Sequence, residues 1–463
     1  MKKNKIYRIA SVAGMMLAFV ACDEPVIDNQ SENTEGRPDE VGVEVPDNNG
    51  SESGGSEGGE QGSEVFELPD TPNLFMRINE QGQQIFYYVI SAQECGVRAY
   101  TEYDPNVSYH PEKEHRYTGD IVIPETVTYA DRELRVTDIG WTAFFGDPIT
   151  SLKLPSSIRS ILALAFTHCD QLRSVEYASL EQLFSIEYDG AENPMRSGHQ
   201  LYIAGEPITD LVVPDTLTEI PTGCLAGISL RSITIPESVR RIGESAFLEW
   251  QGERQVHFSS LRQVFDIEYA SVYSNPLSGG QLYVGDDRIE DVVIPDGIRE
   301  VKDYALAHYE GLKSIVVPEG VESIGYRAFD GCIGLQSVTL PQSLEQLGIC
   351  FGGCTGLEEI TIPDQVETLA TSTFNGCTAL REVTLGSSLS KIGQYAFKDC
   401  PVKRLCCRSV TPPTFDSPAA WGLEPETDGF YHIQLTVPTG SLEAYQKANI
   451  WKFFVNIVEE EEN

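Results

Sequence analysis

LKSIVVPEGVESIGYRAFDGC (residues 312–332), LQSVTLPQSLEQLGICFGGC (335–354), LEEITIPDQVETLATSTFNGC (357–377) and LREVTLGSSLSKIGQYAFKDC (380–400) repeat one pattern four times. Pro318, Pro341 and Pro363 hold one place in it, and Gly386 stands there in the fourth. Steps of 23, 22 and 23 residues are those of a solenoid whose rungs stack, not of a single globular core.

Within one rung, Ile360 and Ile362 flank Thr361, the period-2 alternation of a half-buried strand with Ile inward and Thr outward. The proline that follows cannot donate to a ladder and turns the chain out of the sheet. An apolar pair three residues apart comes next, as in Val321 and Ile324 or Val366 and Leu369, often followed by a glycine such as Gly325. This reads as a second short strand or an extended turn. Ala328-Phe329 and Ala396-Phe397 close the rung, each with a cysteine three places after the Phe, a spacing that suits one inward-packed helical turn. A rung this short cannot bury its own apolar face, so neighbours must supply the cover.

Working outward, the proline position recurs at 124, 155, 214, 236 and 295. The two steps of 59 residues each hide a rung that has lost its proline, at Ala178 and Ser259. The two long blocks lie 81 residues apart and match in detail: SLEQLFSIEY with SLRQVFDIEY, and Asn193-Pro194 with Asn275-Pro276. A three-rung unit has been duplicated. About eleven rungs result, a parallel sheet roughly 50 Å long, with insertions near 184–200 and 265–281. Residues 129–132 are expected to form a hairpin, 68–119 an N-terminal cap, 120–404 the solenoid, and 405–463 a C-terminal cap with an acidic tail.

At the other end, four basic residues precede the apolar run Ile9 to Ala21, the shape of a signal peptide over 1–21. Phe19-Val20-Ala21-Cys22 resembles a bacterial lipobox, which implies cleavage before Cys22 and its lipidation; the alternative is an ordinary cleaved signal. Asp23-Glu24 resembles the acidic signal that sends lipoproteins of the Bacteroides group to the outer surface. Residues 23–67 hold fourteen acids against one base, Arg37, with Gly/Ser clusters, so 22–67 reads as a lipidated, disordered tether. Of the chain's net −37, about −28 belongs to 68–463, which disfavours nucleic acid and anionic lipid surfaces as partners.

The rung itself, with Ile-x-Ile-Pro, Val-x-x-Ile-Gly and Ala-Phe-x-x-Cys, resembles the BspA-like leucine-rich repeat family. So does the C-terminal Val437-Pro438-Thr439-Gly440-Ser441-Leu442-Glu443-Ala444-Tyr445 with the aromatic Trp451, Phe453 and Phe454. The resemblance implies a leucine-rich repeat solenoid on a secreted or surface-anchored bacterial protein that binds matrix proteins, other cells or glycans. It carries over no catalytic residues and no fixed ligand motif.

No H-E-x-x-H, G-x-S-x-G, Walker or dinucleotide-binding motif is present, and the seven His are scattered, so nothing calls for a cofactor, a metal or an enzyme. Cys169, Cys332, Cys354, Cys377 and Cys400 share one rung position and read as a column of buried thiols rather than disulfides, because ladder side chains point in parallel. The candidate binding surface is the outward strand row: Lys153, Val212, Thr234, Val293, Val316, Thr339, Thr361 and Thr384. Strand propensity alone also favours Thr and Val there. A second candidate is the pair of insertions carrying Tyr188, Tyr269 and Tyr273, whose rings either stack on a sugar or protein ligand or pack the insertion onto its own rung. The expectation is a non-catalytic, outward-facing outer-membrane lipoprotein that binds an extracellular protein or glycan. Its rivals are a periplasm-facing assembly module and a glycan-capture accessory of a polysaccharide-uptake system.

Overall fold

The computed structural model describes residues 66–67, 74–99, 117–189, 193–196, 198–421 and 430–461. The expected signal peptide, Cys22 and nearly all of the tether lie outside the described residues.

The alternating positions do form strands, and these stack in parallel and in register. Ile121, Leu152, Val175 and Leu201 face inward as successive cross-strand partners, all at most 2% exposed. We call this the first ladder. The apolar pair after each proline supplies a second one, built of two-residue strands such as Glu300–Val301, Ser323–Ile324 and Gln346–Leu347, with Val301, Ile324 and Leu347 inward. Of the two readings left open by the sequence, the short strand is the one adopted. Pro318 and Pro363 sit at the corner between the ladders.

The Ala-Phe-x-x-Cys segment is not a helical turn. Arg327 and Gly331 take left-handed φ values of 52° and 68°, which breaks any run of i→i−4 bonds. Alternate N–H groups are used differently. Those of Asp330 and Cys332 close tight turns onto the carbonyls three residues back, at 3.2 and 3.3 Å; those of Phe329 and Gly331 reach the next rung at Cys350 and Gly352, at 3.0 and 2.7 Å. The third side is therefore a hydrogen-bonded turn ladder.

Stacking in register carries like onto like. Phe329, Phe351, Phe374 and Phe397 form a column with centroids 5.4 to 5.6 Å apart, closed at the far end by Trp421 at 4.9 Å. The cysteines follow suit. Each thiol donates to a carbonyl of the preceding rung: Cys354 Sγ to Phe329 at 3.2 Å, Cys377 to Phe351 at 3.1 Å, Cys400 to Phe374 at 3.0 Å. All cysteines among the described residues are free thiols, and burial pushes Cys332 and Cys354 up, away from the reactive thiolate. They act as small apolar groups that also donate a weak hydrogen bond. Cys354→Ala should cost about 1–2 kcal/mol in denaturant titration, and the melting temperature should be the same with and without reductant. A reductant-sensitive melt would mean that the column is cross-linked.

The rung count needs correction. Gln200–Ile203 and Gln281–Val284 pair in parallel with the strands before them, so each insertion holds a rung of its own, and the solenoid has about thirteen turns. The boundary expected at 404/405 cuts a strand: Arg404–Cys407, Gln434–Val437 and Asn456–Glu459 continue the first ladder through the C-terminal region. There Tyr445 and Trp451 anchor the end, donating to Ser409 O at 2.6 Å and Pro413 O at 2.7 Å. At the start, Leu74–Ile78, Gln84–Val89 and Glu94–Arg98 form an antiparallel meander whose last strand joins the second ladder. The Asn79 amide donates to Val122 O at 2.8 Å and Gln83 reaches Asp120 O, so side chains cover the open edge of the first rung. The expected hairpin closes at Ala130 and Asp131, with φ 47° and 57°.

In the two duplicated blocks a helix stands where the proline is missing. Leu180–Ser185 (α1) and Leu261–Asp266 (α2) each begin directly after the serine of a Ser-x-x-Gln. Ser179 and Ser260 accept from the N–H of Gln182 and Gln263, whose amide oxygens accept from Ala178 and Ser259 N–H in return. This is close to a capping box, and it replaces the proline turn. The buried amides of the two glutamines also hold the previous rung, at Pro155 O and Pro236 O.

Candidate binding surface

A strand that buries every second residue must present the others, so the outward row is a direct product of the alternation. Register assigns its members. Val212, Thr234, His257 and Tyr283 are successive partners in one sheet, ending on Arg288 across an antiparallel hairpin. Val293, Val316 and Thr339 form the next run, and Thr361, Thr384, Cys406, Thr436 and Val458 the last. Thr361 and Thr384 are thus direct neighbours, with Thr339 one rung before them, while Thr234 belongs to a separate sheet. Val212 and Val293 are 61% and 59% exposed, which confirms that the row faces solvent.

Beside this row runs a polar one, two residues earlier in each strand: Asp210, Ser232, Gln255 and Gln281. Arg231 Nε donates to Asp210 at 2.8 Å and Ser232 Oγ at 2.6 Å, which together hold the carboxylate at about 2. In the first of the duplicated blocks the outward row is charged instead. Lys153 pairs with Glu176 at 2.8 Å, and Tyr202 follows.

The insertion tyrosines are corrected by the structure. Tyr188 and Tyr269 are 7% and 5% exposed, because they fill the inward second-ladder positions opposite Ile161 and Ile242. Their hydroxyls turn back to Leu183 O at 3.4 Å and Val264 O at 3.2 Å. Both therefore pack the rung and are withdrawn as contact residues. The signal was present: Ile-Glu-Tyr aligns with the Glu-Ser-Ile of an ordinary rung, which places the ring where Ile324 sits. Tyr273 remains at the surface, 51% exposed. The row read from the sequence omits His257, Tyr202 and Tyr283, which lie on the proline-less rung and the insertion strands of the duplicated blocks.

The insertions are not edge loops either. The buried Asn193 amide reaches the carbonyls of Gly223, at 3.2 Å, and Cys224, while Asn275 reaches Tyr304 and Ala305 at 2.6 and 3.1 Å. Both strand ladders are interrupted at these seams, and the Asn-Pro turns join one block to the next.

A family described as the BspA type leucine rich repeat region matches in six copies over 121–189, 200–275 and 280–403, more than half the chain. The chain belongs to this family. Asn193-Pro194 falls in the first gap between the matched segments, and the second gap opens at Pro276. Among solved structures, the pneumococcal vaccine antigen PcpA is similar in fold, with a TM-score of 0.51 at 18% identity over 86% of this chain and 99% of that one. A leucine rich cell surface protein from Faecalibacterium prausnitzii matches at 18% identity and TM-score 0.45, over 77% and 96% of the two chains. A leucine-rich repeat protein from Bacteroides ovatus matches at 22% identity and TM-score 0.29, over 70% and 92%. Among curated proteins none matches. Repeat solenoids of the BspA type are typically cell-surface and generally non-catalytic. Among the described residues there is no metal-ligating cluster, and no helix is long and apolar enough to cross a membrane.

Proposed function

We propose that this leucine-rich repeat protein is a lipid-anchored, outward-facing surface protein that binds an extracellular protein or glycan on its first ladder and catalyses no reaction. The observation that carries this reading is the outward row itself. From Val212 to Val458 it bears no formal charge except Arg288, on a chain with net −37. Surfaces of such acidic proteins are ordinarily charged, and a long uncharged strip on a rigid scaffold is suited to recognition by shape. Anchoring rests on Cys22, with the acidic stretch after it as the tether.

On intact producing cells, protease should reach the repeat region, and Cys22→Ala should move the protein from the membrane fraction to the medium or periplasm. Cleavage only after the outer membrane is opened would overturn the outward orientation and favour a periplasm-facing assembly module. Retention of the Cys22→Ala variant in the membrane would overturn the lipid anchor.

A further inference from the structure

The duplicated blocks differ where their outward rows reach the hairpin, and the difference is chemical. In the second block, His257 and Tyr283 are cross-strand partners whose rings stack with centroids 4.8 Å apart and planes 20° from parallel. Neighbouring strands are about 4.8 Å apart, so rings stacked at that spacing stand upright on the sheet with their faces along the ladder. One face of the imidazole covers Tyr283. The other looks over Thr234, a short side chain, and beyond it over the exposed Val212. This makes a step: an aromatic wall with a small, uncharged floor.

The polar row lies alongside. Gln255 and Gln281 are partners two residues before His257 and Tyr283 and point to the same side, with Ser232 beside them. The Tyr283 hydroxyl donates to Gln281 Oε1 at 3.1 Å, orienting that carboxamide. In the first block the equivalents of Thr234 and His257 are Lys153 and Glu176, and their ion pair occupies the step.

We propose that the step formed by Thr234, His257 and Tyr283, flanked by Gln255 and Gln281, is a subsite for a neutral pyranose ring of a glycan chain. A pyranose has one largely C–H face, suited to an upright aromatic wall, and equatorial hydroxyls that require amide and hydroxyl partners at its edge. The step offers both. Wall and floor carry no formal charge, and Arg288, on the far side of Tyr283, pairs with Glu290 at 3.1 Å, so the ionic groups of anionic polysaccharides and charged peptides would be desolvated at the step without partners. This assignment rests on the surface-binding reading above and narrows it to one place and one ligand class.

The test is calorimetric titration of the purified mature protein with mannohexaose, cellohexaose and xylohexaose, beside binding to immobilised collagen. At least one hexasaccharide should bind. His257→Ala and Tyr283→Ala should each weaken it about tenfold with the melting temperature unchanged, and Thr234→Arg, which fills the step, should abolish it. Lys447→Ala, on the C-terminal helix Leu442–Lys447 and away from the outward row, should bind as the parent does. Equal affinity in the His257→Ala, Tyr283→Ala double variant would overturn the subsite. Collagen binding without any hexasaccharide binding would overturn the glycan assignment and leave the surface-binding reading in place. Binding of neither would count against both.

Discussion

Gly227→Ala should leave the protein unable to fold, or less stable by at least about 4 kcal/mol. Gly227 lies in the turn ladder with φ +72°, a region that costs a residue with a side chain about 1–2 kcal/mol. The larger cost is steric. A methyl group there would lie 2.2 Å from Arg196 Cα and 2.8 Å from Arg196 N. Those are backbone atoms of the Asn193-Pro194 turn, and they cannot swing aside as a side-chain tip could. The same turn is tied to Gly227 by the Gly198 N–H, which donates to its carbonyl at 2.9 Å, so relief would require opening the seam. Gly205→Ala separates the two contributions. Gly205 has φ +87° and open space around it, so its substitution should cost only the conformational part, about 1 kcal/mol. Guanidinium titration of the two variants decides the matter. Equal losses would mean that the insertion turn does not pack against the next block as described.

The second large effect is expected from Asn275→Ala. Asn275 is 1% exposed; its amide donates to two carbonyls of the following block and its Oδ1 accepts from Leu277 N–H at 2.9 Å. Alanine leaves one buried acceptor, Ala305 O, and one buried donor, Leu277 N–H, without partners, at about 1–3 kcal/mol for each, while Tyr304 O keeps only the Ala307 N–H at 3.1 Å. A loss of roughly 3–5 kcal/mol follows, with a further consequence from the architecture. Solenoid stability is a sum of rung and interface contributions, and both strand ladders already stop at this seam. Weakening it should split the single unfolding transition into two, with 290–461 and the preceding blocks melting separately. Asn275→Asp should be no better, since a carboxylate would face two carbonyls. Asn193→Ala should behave in the same way at the first seam, because Asn193 makes the equivalent bonds to Gly223, Cys224 and Met195. A single transition shifted by less than about 1 kcal/mol would show that the turns are passengers.

Much of this fold is legible in the residues because its physics is local and repeated. Alternation in Ile360-Thr361-Ile362 sets inward and outward faces, Pro363 ends the strand, and repetition in register stacks each Phe on the next. Where reading went astray, a non-local fact was needed. The Ala-Phe-x-x-Cys spacing suits a helix within one rung. It becomes a turn ladder because half of its N–H groups find acceptors in the rung that follows. Tyr188 and Tyr269 look available in a loop, yet they fill core positions once the proline-less rungs are aligned with the others. The C-terminal region reads as a cap from its aromatic residues, and its strands extend the ladder because Asn456–Glu459 finds an edge to pair with.

The surface was legible in outline only. Thr339, Thr361 and Thr384 follow from period 2, and their exposure needs no partner to explain it. His257 and Tyr283 are 26 residues apart, and nothing between them states that their rings meet.

By itself, then, the sequence determined the repeat, the strand faces, the apolar core and the family. These depend on side-chain periodicity, which each rung expresses independently of its neighbours. Tertiary structure decided which polar groups join the blocks, which tyrosines are buried, and where an aromatic pair stands on the open face. Those outcomes depend on register between segments distant in the chain, and a one-residue slip of a strand would reverse every one of them.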